Sequence, residues 1–281
     1  MSPKQALEVA CHALEYRSPA YSAHSVLARW QRVILISVVV LFMLGLIFLP
    51  WVTGVLLVTL ATVSYVWALG FRFLLFKHGA RGGRMVKIAD EDARAFPDAQ
   101  LPVYTVLVPA FKEPLIEELV EALECIEYPR EKLDIRLLLE ADDAETIAAA
   151  SKLRPRAHLT VIQVPKADPQ TKPKACNYGL LTARGTLCTI FDAEDRPDPL
   201  QLRKAVLALD RLGTDYACVQ ARLGFYNSRQ NLLTRWFTLD YGAWFGNMLP
   251  GLVGISAPIP LGGTSNHFRV TALKAVGAWD P

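Results

Sequence analysis

No Lys, Arg, Asp, Glu or His occurs between Arg32 and Arg72. A single helix over that stretch would be roughly 58 Å long, about twice the ~30 Å hydrocarbon core of a bilayer. The chain must therefore fold back. Pro50 and Trp51 sit near the middle with Gly54 just after them, and Trp suits a membrane interface. The expectation is two spanning helices, Val33 to Leu49 and Val52 to Phe71. The competing reading, a buried helical hairpin of a soluble protein, fits the unbroken apolar length poorly. Arg29 and Arg32 precede the pair, Arg72, Lys77, Arg81, Arg84 and Lys87 follow it, and the turn between is uncharged. The positive-inside rule then puts both ends in the cytoplasm, as in a multi-pass protein of the inner cell membrane.

The remaining chain divides around this hairpin. About thirty polar and mixed residues come first, which argues against a signal peptide. Residues 1–32 read as a cytoplasmic or interfacial segment: a helix near Gln5 to Tyr16 resting on the membrane surface, or a solvated tail. Residues 33–76 hold the two spans, 77–101 a polar linker, and 102–281 an α/β domain. A net charge of +3 gives no reason to expect a nucleic-acid partner. Cys11, Cys125, Cys176, Cys188 and Cys218 are odd in number, scattered and mostly in apolar surroundings. That pattern predicts reduced, packed thiols.

From Val103 onward short apolar runs alternate with helical patterns. Val103 to Pro109, Asp134 to Glu140, Leu159 to Val164 and Leu187 to Phe191 read as strands. Helices are expected at Glu113 to Glu127, Ala141 to Leu153, around Lys174 to Ala183, and in DPLQLRKAVLALDRL. This order predicts a mostly parallel, doubly wound sheet. In such sheets ligands collect beyond the carboxyl ends of the strands. There the sequence places Glu113 after the first strand, Glu140, Asp142 and Asp143 after the second, and Asp192, Glu194 and Asp195 after the fourth. Crowded acids repel unless a cation sits among them, so one reading is a divalent metal holding phosphates. The other is a solvated acidic loop in which Asp198 caps the next helix. Neither GxGxxG nor GxxxxGK[ST] is present, so phosphate would have to be met by metal and side chains. Lys172 and Lys174 in QTKPKACNYGL are placed for that, Lys174 at a helix start whose amides also favour anions.

The series VYTVLVPAFKE, LLLEADD, KPKACNYGL, FDAED, VQARL and GGTSNHFR, in that order, resembles the membrane-embedded family 2 glycosyltransferases, among them cellulose synthase-like polysaccharide synthases. The resemblance implies a GT-A fold, a UDP- or GDP-sugar donor, Mg2+ or Mn2+, and inverting transfer of a hexose to a growing polysaccharide. It implies Asp192 near the donor ribose and metal and Glu194 as a metal ligand, Glu standing where the family usually has Asp. Asp195 would share that role. Glu113, Glu140 and Asp142 would contact the base or ribose, and Lys174 the diphosphate. Ser265, Asn266 and His267 would lie under the acceptor sugar. The aromatic stretch Leu232 to Leu252 would be an amphipathic helix at the membrane surface, with lipid and a polysaccharide or lipid-linked acceptor as partners. GAWDP (Gly277 to Pro281) precedes the segment that carries the family's general base. The resemblance therefore implies that the base lies beyond Pro281 and that this chain alone does not complete transfer. Two alternatives share the early motifs: single-sugar transfer to a lipid phosphate, and a non-catalytic nucleotide-binding membrane scaffold.

Overall fold

The computed structural model describes residues 2–81, 85–113 and 116–281. Gly82, Gly83 and Arg84 of the expected linker, and Pro114 and Leu115 of the expected helix after the first strand, lie outside the described residues. The chain forms two compact units: Met1–Ser22, Val86–Arg222 and Pro260–Pro281 in one, Ala23–Met85 and Leu223–Ile259 in the other. Helix α1 (Pro3–Arg17) begins with a capping box. The Ser2 hydroxyl accepts from the Gln5 N–H, Gln5 Oε1 accepts from the Ser2 N–H at 2.9 Å, and proline occupies the first turn. Its Ala10, Cys11 and Leu14 are buried within the first unit, so this segment is packed, not a solvated tail. Helices α2 (Arg29–Phe48) and α3 (Pro50–Ala80) follow, parted at Leu49 because Pro50 lacks the N–H that a continuous helix needs. Both are long and apolar enough to cross a membrane by length and composition. Among their described residues α2 buries none and α3 only Leu75 and Gly79.

The linker region contains a short helix, α4 (Asp90–Ala95). Then come β1 (Tyr104–Ala110), α5 (Ile116–Glu124), β2 (Leu133–Glu140), α6 (Ala144–Ala150), β3 (Leu159–Val164), α7 (Lys172–Leu180), β4 (Leu187–Ile190), α8 (Gln201–Leu212) and β5 (Cys218–Gln220). Helix α5 buries Ile116, Leu119, Val120 and Leu123, the one-face spacing that lays an amphipathic helix on a sheet.

Helices α9 (Leu232–Ala243) and α10 (Leu249–Gly254) flank a π-helical turn, Trp244–Met248, all in the second unit. There backbone meets backbone: a Cβ on Gly79 of α3 would fall 1.9 Å from Asn247 O, and one on Gly251 2.2 Å from Leu75 O. Only glycine permits that approach. Back in the first unit, β6 (Asn266–Arg269) and α11 (Val270–Ala275) complete the chain's elements.

The sheet order is β3-β2-β1-β4-β6-β5. The first four strands are parallel, as expected, while β6 runs antiparallel to both β4 and β5. Alternate residues go to opposite faces. Tyr104, Val106, Leu133, Ile135 and Leu137 are buried on one face with side chains of α5 and α8; Leu107, Leu138, Cys188 and Ile190 are buried on the other with those of α7. The two layers of helices leave the carboxyl ends of β1, β2 and β4 at one edge of the sheet.

Candidate functional site

Strand β4 is buried along its length, and the chain leaves the sheet at Phe191 into DAEDRPDP. Asp192 is half-buried and Glu194 is exposed. The Asp195 carboxylate is turned inward: its Oδ2 accepts from the Asp192 N–H at 2.8 Å and from the Thr264 hydroxyl, which also lies 3.2 Å from Ile190 O. Burial lifts the Asp195 carboxyl above its ordinary range and the charges of Asp192 and Glu194 add to this, against the hydrogen bonds that lower it. Glu113, in the loop after β1, is raised by burial and then by the charge of Glu194. The loops after β1 and β4 thus bring their acids within electrostatic reach of each other.

A cationic side chain already stands at this loop. Thr171 caps α7, its hydroxyl accepting from the Lys174 N–H at 3.4 Å, so the helix begins at Lys172. Lys172 Nζ donates to the Asp192 carboxylate and, at 2.8 Å, to Gly263 O. The same start turns Lys174 inward. Lys174 is 0% exposed, and its Nζ donates to Glu140 Oε2 at 2.8 Å. The expectation that Lys174 faces the diphosphate is therefore corrected: the helix starts at Lys172, and its phase points Lys174 into the protein. Glu140 is buried in that pair, so it does not present a free carboxylate either. Asp142 pairs with Lys166 at 3.0 Å and accepts from Gln170 at 2.9 Å; the Lys166 bond chiefly holds its carboxyl below the usual range.

Asp143 organises the loop after β1. It caps α6, accepts from the Lys112 N–H and holds Lys112 at φ 56°, a left-handed conformation that a lysine adopts only under constraint. The next N–H, that of Glu113, donates to Thr146 Oγ1 at 3.1 Å.

Ser265, Asn266 and His267 are all buried. Their chain segment is threaded between β4 and β5, which removes them from any surface an acceptor sugar could touch. His267 is 1% exposed; its Nδ1 lies 2.6 Å from the Tyr104 hydroxyl and its Nε2 3.1 Å from Gln201 Nε2. Burial drives its pKa down to about 3, so it is neutral and serves to join β1, β6 and the start of α8. The acceptor role expected of these three residues is not supported by this placement.

Among the described residues no group of three or more His, Cys, Asp or Glu side chains is arranged to hold a metal. Asp192, Glu194 and Asp195 do not form a three-carboxylate set, because Asp195 is engaged by Thr264 and the Asp192 amide. Asp192, whose carboxylate also accepts from Lys172, and the exposed Glu194 remain. One or two carboxylates are what Mg2+ usually takes from a protein, its other oxygens coming from phosphate and water.

Sequence reasoning singles out Lys174 over Lys172 and assigns no separate role to Asp143 or Thr264. The Thr-Lys-Pro start of α7 and the Asp-x-x-Thr cap of α6 are local signals for Lys172 and Asp143. Nothing local marks Thr264, whose partner is far away in sequence.

A family model described as "Glycosyltransferase like family 2" matches residues 102–281. The "Probable glycosyltransferase YdaM" of Bacillus subtilis (strain 168) is 24% identical over 196 residues, 64% of this chain and 44% of that protein. The mannosyltransferase PcManGT from Pyrobaculum calidifontis, solved with GDP-Man and Mn2+, superposes with a TM-score of 0.56 at 21% identity, over 79% of this chain and 58% of that one. The chain thus spans about half the length of these relatives.

Proposed function

Because the chain belongs to glycosyltransferase family 2 and has its GT-A-like fold, we propose that its first unit binds a nucleotide-sugar donor at the carboxyl ends of β1 and β4. The observation that carries this is Lys172 held against Asp192 and Gly263 O, beside the exposed Glu194. Lys172 supplies a charged donor for the diphosphate, and Asp192 and Glu194 supply oxygens for a cation shared with it. A bound Mg2+ or Mn2+ would add Lewis-acid neutralisation of the diphosphate as it leaves. Asp143 and Thr146 hold the backbone of Lys112 and Glu113, and in this proposal the Glu113 carboxylate contacts the donor. The GDP-Man and Mn2+ in PcManGT support a nucleoside-diphosphate hexose as donor and a divalent metal.

The acceptor in this proposal is a growing polysaccharide at the cytoplasmic face of a membrane. Helices α2 and α3 cross the bilayer as a hairpin, since their apolar side chains are exposed almost throughout. Leaving each such Val, Leu, Ile or Phe in water would cost about 1.5–3 kcal/mol. Trp236, Phe237 and Leu239 of α9 are likewise exposed and suit an interfacial seat. Calorimetry with UDP and GDP, with and without Mn2+, tests the donor site. Metal-dependent binding of one of them supports the proposal, and binding indifferent to metal and to Lys172→Ala refutes it.

A further inference from the structure

Helix α1 has no part in the chemistry just described, yet it is built into the unit that carries it. Its link is Asn177, a buried residue of α7. Asn177 Nδ2 donates to Ala10 O at 3.0 Å and to Trp279 O at 2.7 Å, while its Oδ1 accepts from the Trp279 N–H at 3.1 Å. One amide therefore joins α1, α7 and the turn after α11. Further bonds tie the N-terminal segment to the C-terminal one. Arg17 Nη1 donates to Lys274 O at 3.1 Å and Ser22 Oγ to Asp280 Oδ1 at 2.9 Å. Gly277, at φ 95°, lies so near Leu14 that a Cβ there would fall 2.8 Å from Leu14 Cδ1. Cys11 of α1 is buried as well.

We propose that α1 is a positioning element for the donor site, acting through Asn177 to hold α7 in the phase that sets Lys172 on Asp192 and Gly263. The inference rests on the donor-binding proposal and deepens it. Asn177 touches no donor atom in this scheme; it is a positioning residue. If α1 docking favours the Lys172 placement that binds nucleotide, nucleotide must in turn favour α1 docking, because coupling between two sites is reciprocal.

The test is hydrogen exchange of the full chain in detergent, with and without UDP or GDP plus Mn2+. Amides of residues 3–17 are expected to exchange several-fold more slowly when nucleotide is bound. Asn177→Ala is expected to weaken nucleotide binding about tenfold. Should that variant fail to fold, Leu14→Ala loosens the same contact from the α1 side and is expected to act in the same direction. Slower exchange in α7 and the acidic loop with α1 unchanged overturns the inference while sparing the donor site. Unaltered affinity in a folded Asn177→Ala overturns it too. If the wild-type chain binds neither nucleotide, the donor-binding proposal fails and the inference falls with it.

Discussion

Lys174 and Glu140 give the sharpest test of how this site is built. Their side chains are 0% and 7% exposed and their charged atoms are 2.8 Å apart. At an effective dielectric of 20 that separation corresponds to about 6 kcal/mol of attraction. Most of it offsets the cost of removing both charges from water. Deleting one partner leaves the other buried and unpaired, so Lys174→Met or Glu140→Leu alone should cost about 3–5 kcal/mol. The double variant replaces the pair with apolar groups of similar size and should recover most of that loss. Urea denaturation of the four proteins in detergent, closed as a double-mutant cycle, measures the coupling. The double variant should also retain nucleotide affinity, because the two groups are buried and paired with each other. Single variants that remain stable but lose nucleotide binding would refute the structural role and return Lys174 to the diphosphate.

Lys172→Ala should weaken nucleotide binding roughly 10- to 100-fold, the loss of one charge-assisted hydrogen bond, as read by calorimetry. Asp192→Asn should remove the metal dependence of that binding, seen as equal affinity with Mn2+ and with chelator. Tyr104→Phe should destabilise the first unit by about 1–3 kcal/mol by leaving His267 Nδ1 without a partner, measured by urea denaturation. Asp195→Asn keeps an acceptor oxygen but removes a charge that burial disfavours. Because the folded-state pKa of Asp195 is raised, its charge opposes folding above that pKa and ceases to matter below the unfolded value. The variant should therefore melt higher than wild type at pH 7, with the gap closing as pH falls towards the ordinary carboxylate range.

The strands are legible in the sequence because apolar, β-branched runs bounded by acids and prolines leave few other readings. β1, β2 and β4 are such runs, and their carboxyl ends follow from their order. The phase of α7 is harder to read. Lys172 and Lys174 stand two apart, so a helix start displaced by two residues exchanges which lysine faces the acids. The antiparallel insertion of β6 is not legible either, since NHFR and CVQ are short and lack alternation. That insertion is what buries His267. The packing of α1 depends on Asn177 and Trp279, distant residues whose pairing no local pattern announces.

Calorimetric titration of the full chain with UDP and GDP, in Mn2+ and in chelator, tests the central claim most directly. Saturable binding of a nucleoside diphosphate that needs the metal, a need that Asp192→Asn abolishes, is the predicted result. Wild-type binding that is as tight in chelator as in Mn2+ would contradict it.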